Sequence, residues 1–152
     1  MVRMLISGVH GDVYAWETIV MSQKKILVPF GPSAKDLKSV HYALALAERL
    51  KAQVYILQNA PAPGLGNSRS VWVKEALLDL INSARLAGLT VSHLIANGGL
   101  EEEIIGLVKE EGIDVIVCGA DDGICERCFL QIKPLFSGQI IQVKEKNHVS
   151  YL

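Results

Sequence analysis

Residues 119–128 bring together several kinds of chemistry: three carboxylates (Asp121, Asp122, Glu126), a guanidinium (Arg127), two thiols (Cys125, Cys128) and the glycines Gly119 and Gly123. Cys125-Glu126-Arg127-Cys128 has the spacing of a disulfide-forming or metal-holding pair. A zinc site would need two further ligands, and no histidine lies near in sequence, so no metal is expected. A dithiol of the thioredoxin kind opens a long helix after a strand, a placement this pair lacks. The plain reading is a chance spacing of structural cysteines; the sharper one is a reversible disulfide between Cys125 and Cys128 that senses oxidation. Gly119 and Gly123 point to a different chemistry, because backbone N–H groups of a glycine-rich loop can cradle phosphate. Asp121, Asp122 and Glu126 oppose it: two like unit charges about 4 Å apart cost roughly 4 kcal/mol near a protein surface. Arg127 offsets one of the three, not all.

Other reactive side chains read as scaffold. His41 lies within a helical stretch beside Tyr42, as a solvated or packed residue rather than a base, and His93 reads as an exposed strand residue beside Ser92. Glu101, Glu102 and Glu103 sit where the first turn of a helix favours acid. Trp72 opens a helix, where simple packing is the economical reading. No Ser/His/Asp or Cys/His arrangement is suggested by order or spacing, so we read the chain as not an enzyme.

The loop at 119–128 must be held by the run before it. Of Ile113-Asp114-Val115-Ile116-Val117-Cys118, five residues are apolar, with no polar alternation, and Gly119 ends the run. Such a run reads as a strand buried on both faces at the centre of a parallel sheet, with ligands gathering beyond its carboxyl end. A first strand is expected near 24–29, before a tight loop of Gly31, Pro32 and the plausible N-cap Ser33. Leu37, Val40, Ala43, Leu44, Ala47 and Leu50 recur at helical spacing over 34–51. Further strands are read at 53–58, 89–96 and 139–143. Helices are read at 71–86, at 100–111 with Gly112 as its stop, and near 128–136. Asn59 to Ser70, rich in proline and glycine, is a loop. Strands alternating with helices give βαβ units and an α/β domain with helices on both faces of a mostly parallel sheet, flavodoxin-like or Rossmann-like.

The totals narrow the function classes. With 152 residues, one domain over 22–152 is the simplest organisation, with 1–21 as an N-terminal extension. Half the residues are hydrophobic and 20% charged, which excludes a disordered or fibrous chain. A formal net charge of −1 argues against nucleic acid or an anionic membrane surface as partner. No apolar run is long enough to span a bilayer, and residues 1–20 lack the pattern of a cleaved signal. Three cysteines, an odd number, suit a reducing compartment, so a cytoplasmic location is expected.

Lys25-Ile26-Leu27-Val28-Pro29, the following small-residue helix, Asn97-Gly98-Gly99, Ile113 to Gly119 and Ile140-Ile141-Gln142-Val143 together resemble the universal stress protein family across roughly 24–144. The resemblance implies a three-layer domain with a five-stranded parallel sheet of order 3-2-1-4-5. It also implies a homodimer, formed through the last strand at Gln139–Val143. One branch of that family binds ATP, and by resemblance its crevice falls on Pro29, Phe30, Gly31, Ser33, Asn59, Gly119, Ala120, Asp121, Gly123 and Arg127. This chain departs from that branch. The aspartate that ends the family's first strand is replaced by Gly31, the second loop glycine falls on Asp122, and the closing Gly-Ser pair falls on Glu126 and Arg127. The expected function is therefore a regulatory or protein-binding domain in stress response, its nucleotide site degenerate and no cofactor required. An ATP- or AMP-binding switch using Ser33, Gly119 and Gly123 is one alternative, and the Cys125/Cys128 thiol sensor another.

Overall fold

In a computed structural model the residues described are 23–31, 36–59, 68–119, 130–144 and 149–151; the extension at 1–21 lies outside them. The element order is β1 Lys25–Phe30, α1 Lys38–Leu50, β2 Gln53–Asn59, α2 Ser68–Leu86, β3 Val91–Ala96, α3 Leu100–Glu111, β4 Val115–Gly119, a 3-10 turn Lys133–Leu135, β5 Gln139–Val143 and β6 Val149–Tyr151. The five parallel strands stand in the expected order 3-2-1-4-5, and β6 adds an antiparallel strand beyond β5. Alternate residues of each strand feed two cores. Ile26, Val28, Ile56, Val117 and Ile141 pack with α1 and α2 on one face. Leu27, Leu57, Ile116 and Ile140 pack with α3 and Ile132 on the other. The helices bury the stripes their spacing sets: Val40, Ala43 and Ala47 on α1, Leu77, Ile81 and Ala84 on α2, Ile104 and Val108 on α3.

Boundaries match closely where glycine marks them. α3 covers the expected 100–111 and stops at Gly112, whose φ of 68° is a left-handed conformation that glycine adopts without steric cost. α1 starts four residues later than expected, at Lys38, where the Asp36 carboxylate accepts the Lys38 N–H at 3.0 Å; Ser33, the expected cap, lies outside the described residues. The last helix, expected near 128–136, is helical from Leu130 and tightens into the 3-10 turn by Lys133.

Asp114 fastens the amino end of the sheet. Its N–H donates to the Lys25 carbonyl at 2.9 Å, and its carbonyl accepts the Gln139 N–H at 3.0 Å. Its side-chain Oδ2 accepts the Lys25 N–H at 2.9 Å. One residue thus ties β1 to β5 across β4. Lys25 Nζ reaches the Glu111 carbonyl at 2.8 Å, joining the end of α3 to the same corner. Tyr55 donates to Glu111 Oε1 at 3.3 Å, and its phenol is pushed above the ordinary range, first by burial and then by the Glu111 charge. Gly138 is required where β5 enters this corner: a Cβ there would fall 2.1 Å from the Asp114 carbonyl oxygen.

The chain itself covers one outward carbonyl of β3 and the outer side of β5. On β3, the Thr90 carbonyl accepts the Val54 N–H of β2, so by strand alternation the Val91 carbonyl faces outward. The Arg85 guanidinium fills that position, donating from Nε at 3.0 Å and Nη2 at 2.8 Å. On β5, the strand expected to pair between chains, Ile141, Gln142 and Val143 are already paired with β6. Edges closed in these ways resist pairing with other chains.

Replacing Asp114 by Ala leaves the Lys25 N–H without its carboxylate acceptor. A charged hydrogen bond of this kind is worth about 1.5–3 kcal/mol, so Asp114→Ala should lower the thermal midpoint by several degrees. Asp114→Asn keeps an acceptor oxygen and should fall between the two in the same unfolding measurement.

Candidate functional site

Strand order reverses between β1 and β4, and the crevice beyond their carboxyl ends is where doubly wound sheets take ligands. The local feature at this end of β1 is Pro29. The Gln53 N–H goes to the Lys24 carbonyl and the Asp114 N–H to the Lys25 carbonyl, so even-numbered residues of β1 face β2 and odd-numbered ones face β4. Pro29 therefore stands where β1 would donate to β4, and it has no N–H to give. The β1–β4 pairing accordingly ends at Leu27↔Ile116, while the β1–β2 pairing runs on to Phe30↔Gln58. The seam is fastened by Asp114 at one end and released at the other.

Carrying the register along sets Gln58, Phe30, Gly119 and Val143 level across the sheet at the lip of this crevice. Of the expected site residues, Pro29 and Phe30 are buried at the end of β1 and Gly31 is buried just beyond. Asn59 and Gly119 are half-buried as the last residues of β2 and β4. The fold thus gathers five of them at one end of the sheet. Ser33, Ala120, Asp121, Gly123, Cys125, Arg127 and Cys128 lie outside the described residues. Among the described residues no group of His, Cys, Asp and Glu is arranged to hold a metal ion.

Cys118 is the described cysteine, 1% exposed on the α3 face of β4. It is in a disulfide. Its Sγ therefore carries no proton, and the 3.8 Å approach to the Ile141 carbonyl is a packing contact rather than a hydrogen bond. The chain holds three cysteines in all.

Two polar residues near this end of the sheet form a pair that the sequence reading did not anticipate, Gln58 at the end of β2 and His93 on β3. Gln58, 8% exposed, accepts a hydrogen bond at Oε1 from His93 Nε2 at 2.8 Å. His93 is thus half-buried against the α2 side of the sheet, not an exposed strand residue. Burial lowers its pKa first, and the Arg85 charge lowers it further. A signal for Gln58 existed: it is a lone amide ending an otherwise apolar strand, and a buried amide needs a partner. Trp72, read as packing, is 70% exposed on α2, and His41 is exposed on α1.

The His93 ring stays neutral in the folded chain at pH values where the unfolded chain takes up a proton, near its ordinary 6.5. The unfolded state then binds more protons, so stability is full above about pH 6.5 and falls as pH drops toward the lowered folded pKa. His93→Gln, which keeps a donor for Gln58, should flatten this part of the stability profile in unfolding measured between roughly pH 5 and 7.5.

The universal stress protein family model matches residues 23–130. No curated protein matches the chain. A universal stress protein from Archaeoglobus fulgidus superposes with a TM-score of 0.56 at 17% identity, covering 82% of this chain and 96% of that one. The Archaeoglobus fulgidus protein in complex with dAMP gives 0.52 at 17% identity, over 79% and 96%. A universal stress protein family protein from Arabidopsis thaliana with AMP bound gives 0.50 at 16%, over 80% and 91%. At these identities the structures support the fold, and the family model, spanning well over half the chain, supports the kinship. The chain belongs to the universal stress protein family.

Proposed function

We propose that this chain is a stress-related regulatory domain of the universal stress type, without catalytic activity, whose crevice has lost the family's triphosphate site. The observation that carries this is the end of β1: Gly31 is buried where the ATP-binding pattern has an aspartate, so no side chain is there to hold an adenosine. The loop after Gly119 points the same way, because its acids replace the glycines that would let backbone N–H groups approach phosphate. At this end of the sheet Phe30 and Gln58 are buried within the protein itself, with Asn59 and Gly119 half-buried beside them. No helix among the described residues is long and apolar enough to cross a membrane, which fits a cytoplasmic role.

Thermal unfolding with and without millimolar Mg-ATP, and separately AMP, tests the proposal. A ligand at one hundred times its dissociation constant adds about 2.7 kcal/mol of stability, an easily measured shift. The expected result is no shift with ATP. The structural relatives holding dAMP and AMP support an adenine-nucleotide switch as the competing reading, and a clear ATP shift would establish it over ours.

The disulfide at Cys118 supports a second reading, in thiol chemistry. In a reducing compartment a disulfide is usually transient and regulatory. It also changes the pairing at issue, since a bond at Cys118 and one between Cys125 and Cys128 would together need four cysteines where the chain has three. Labelling thiols in the denatured protein, before and after mild peroxide, should show two being lost per chain, with Cys118 in the recovered cross-linked peptide. Unchanged counts would leave the cysteines structural.

A further inference from the structure

α2 passes to β3, the edge strand at the far side of the sheet, through a turn whose backbone is fixed. The Arg85 carbonyl accepts the Gly88 N–H at 3.0 Å, and the Ala84 carbonyl accepts the Leu89 N–H at 3.0 Å. Gly88 rounds the corner at a φ of 98°, which glycine adopts without steric cost. The Arg85 backbone is thereby held, while the residue itself is exposed and its guanidinium meets the outward Val91 carbonyl through both Nε and Nη2. Two residues further along β3, His93 stands level with Ile56, and its Nε2 lies 2.8 Å from Oε1 of the buried Gln58. We propose that Gln58, His93 and Arg85 form a pH-sensitive latch on the outer edge of β3: a neutral ring lets Arg85 close the Val91 carbonyl, and a proton on His93 releases Arg85 and opens it.

The groups around the ring set the direction. β3 carries no titratable residue besides His93. On β2 the neighbour is the uncharged Gln58, and the Tyr55 hydroxyl goes to Glu111 instead. Among the described side chains of α2, Lys74, Glu75, Asp79 and Arg85 carry charge, and Arg85 is the one that acts on the ring. Coupling between two sites is reciprocal, so an Arg85 that disfavours a proton on His93 is itself disfavoured beside a protonated ring. Which partner yields follows from how each is held. An imidazolium still donates from Nε2 to an amide oxygen, so His93 keeps its bond to Gln58 in both charge states. Arg85 is on the exposed side of its helix with water as the alternative partner, and it is the member free to leave. Only a side chain moves; the turn at Gly88 and the β2–β3 ladder stay as they are. Acid thus turns a capped edge carbonyl into an unpaired acceptor, the feature that edge strands otherwise keep covered.

The test follows two signals in the full chain by nuclear magnetic resonance, the His93 ring and the Arg85 Nε–H, from about pH 7.5 down to about pH 5, a range that brackets the ordinary histidine titration. The expected result is that the Arg85 Nε–H shift moves to the value of free arginine with the same midpoint as the ring, and that this movement is lost in His93→Gln. An Arg85 signal that ignores the ring titration, or that moves identically in His93→Gln, would overturn the proposal. Should His93→Gln lose its fold by circular dichroism, Arg85→Gln decides instead. Without the guanidinium the His93 midpoint should shift upward from that of the unmodified chain, and an unchanged midpoint would show that the two groups are not coupled and would overturn the latch.

Discussion

The seam between β1 and β4 is the constraint on which the rest of this domain turns. β1 lies at the middle of the sheet with Ile26, Leu27 and Val28 fully buried, so both cores are built against it. At its amino end Asp114 supplies a backbone donor, a backbone acceptor and a carboxylate, and holds three strands in register. At its carboxyl end Pro29 withholds the one donor that would have closed the ladder. The β1–β4 pairing thus stops at Leu27↔Ile116 while both strands run on. Fastening one end and freeing the other also explains why the polar network of Lys25, Tyr55 and Glu111 gathers at the amino pole, away from the crevice.

Most of this scaffold was legible because it depends on two periods and a few glycines. The unbroken run before Gly119 could only be a strand buried on both faces, and it is the central β4. Leu100–Glu111 and Gln139–Val143 fell at their expected limits because Gly99, Gly112 and Gly138 bound them. What was missed has physical reasons too. β6 is three residues long and carries no period, so its existence depends on β5 offering outward-facing groups, a property of the folded sheet. His93 beside Ser92 looked solvent-facing, but strand alternation puts the two on opposite sides, and α2 covers the side of His93. Gln58 hid inside an apolar strand. The site was legible only in part: Pro29, Phe30, Gly31, Asn59 and Gly119 converge as the topology requires, while the chemistry of the loop after Gly119 is written in the sequence alone.

Arg85 links the two themes of the molecule, edge protection and site electrostatics. Its guanidinium closes the outward carbonyl of Val91, and the same fixed charge helps to keep the His93 ring neutral. A neutral His93 donates from Nε2 to Gln58 and leaves its other ring nitrogen able to accept. The pair is therefore an uncharged hydrogen bond between β2 and β3, on the face of the sheet that α2 covers. The buried Gln58 amide thereby keeps a partner that carries no net charge, whereas a protonated ring would bring a second cation into the sheet beside the Arg85 guanidinium.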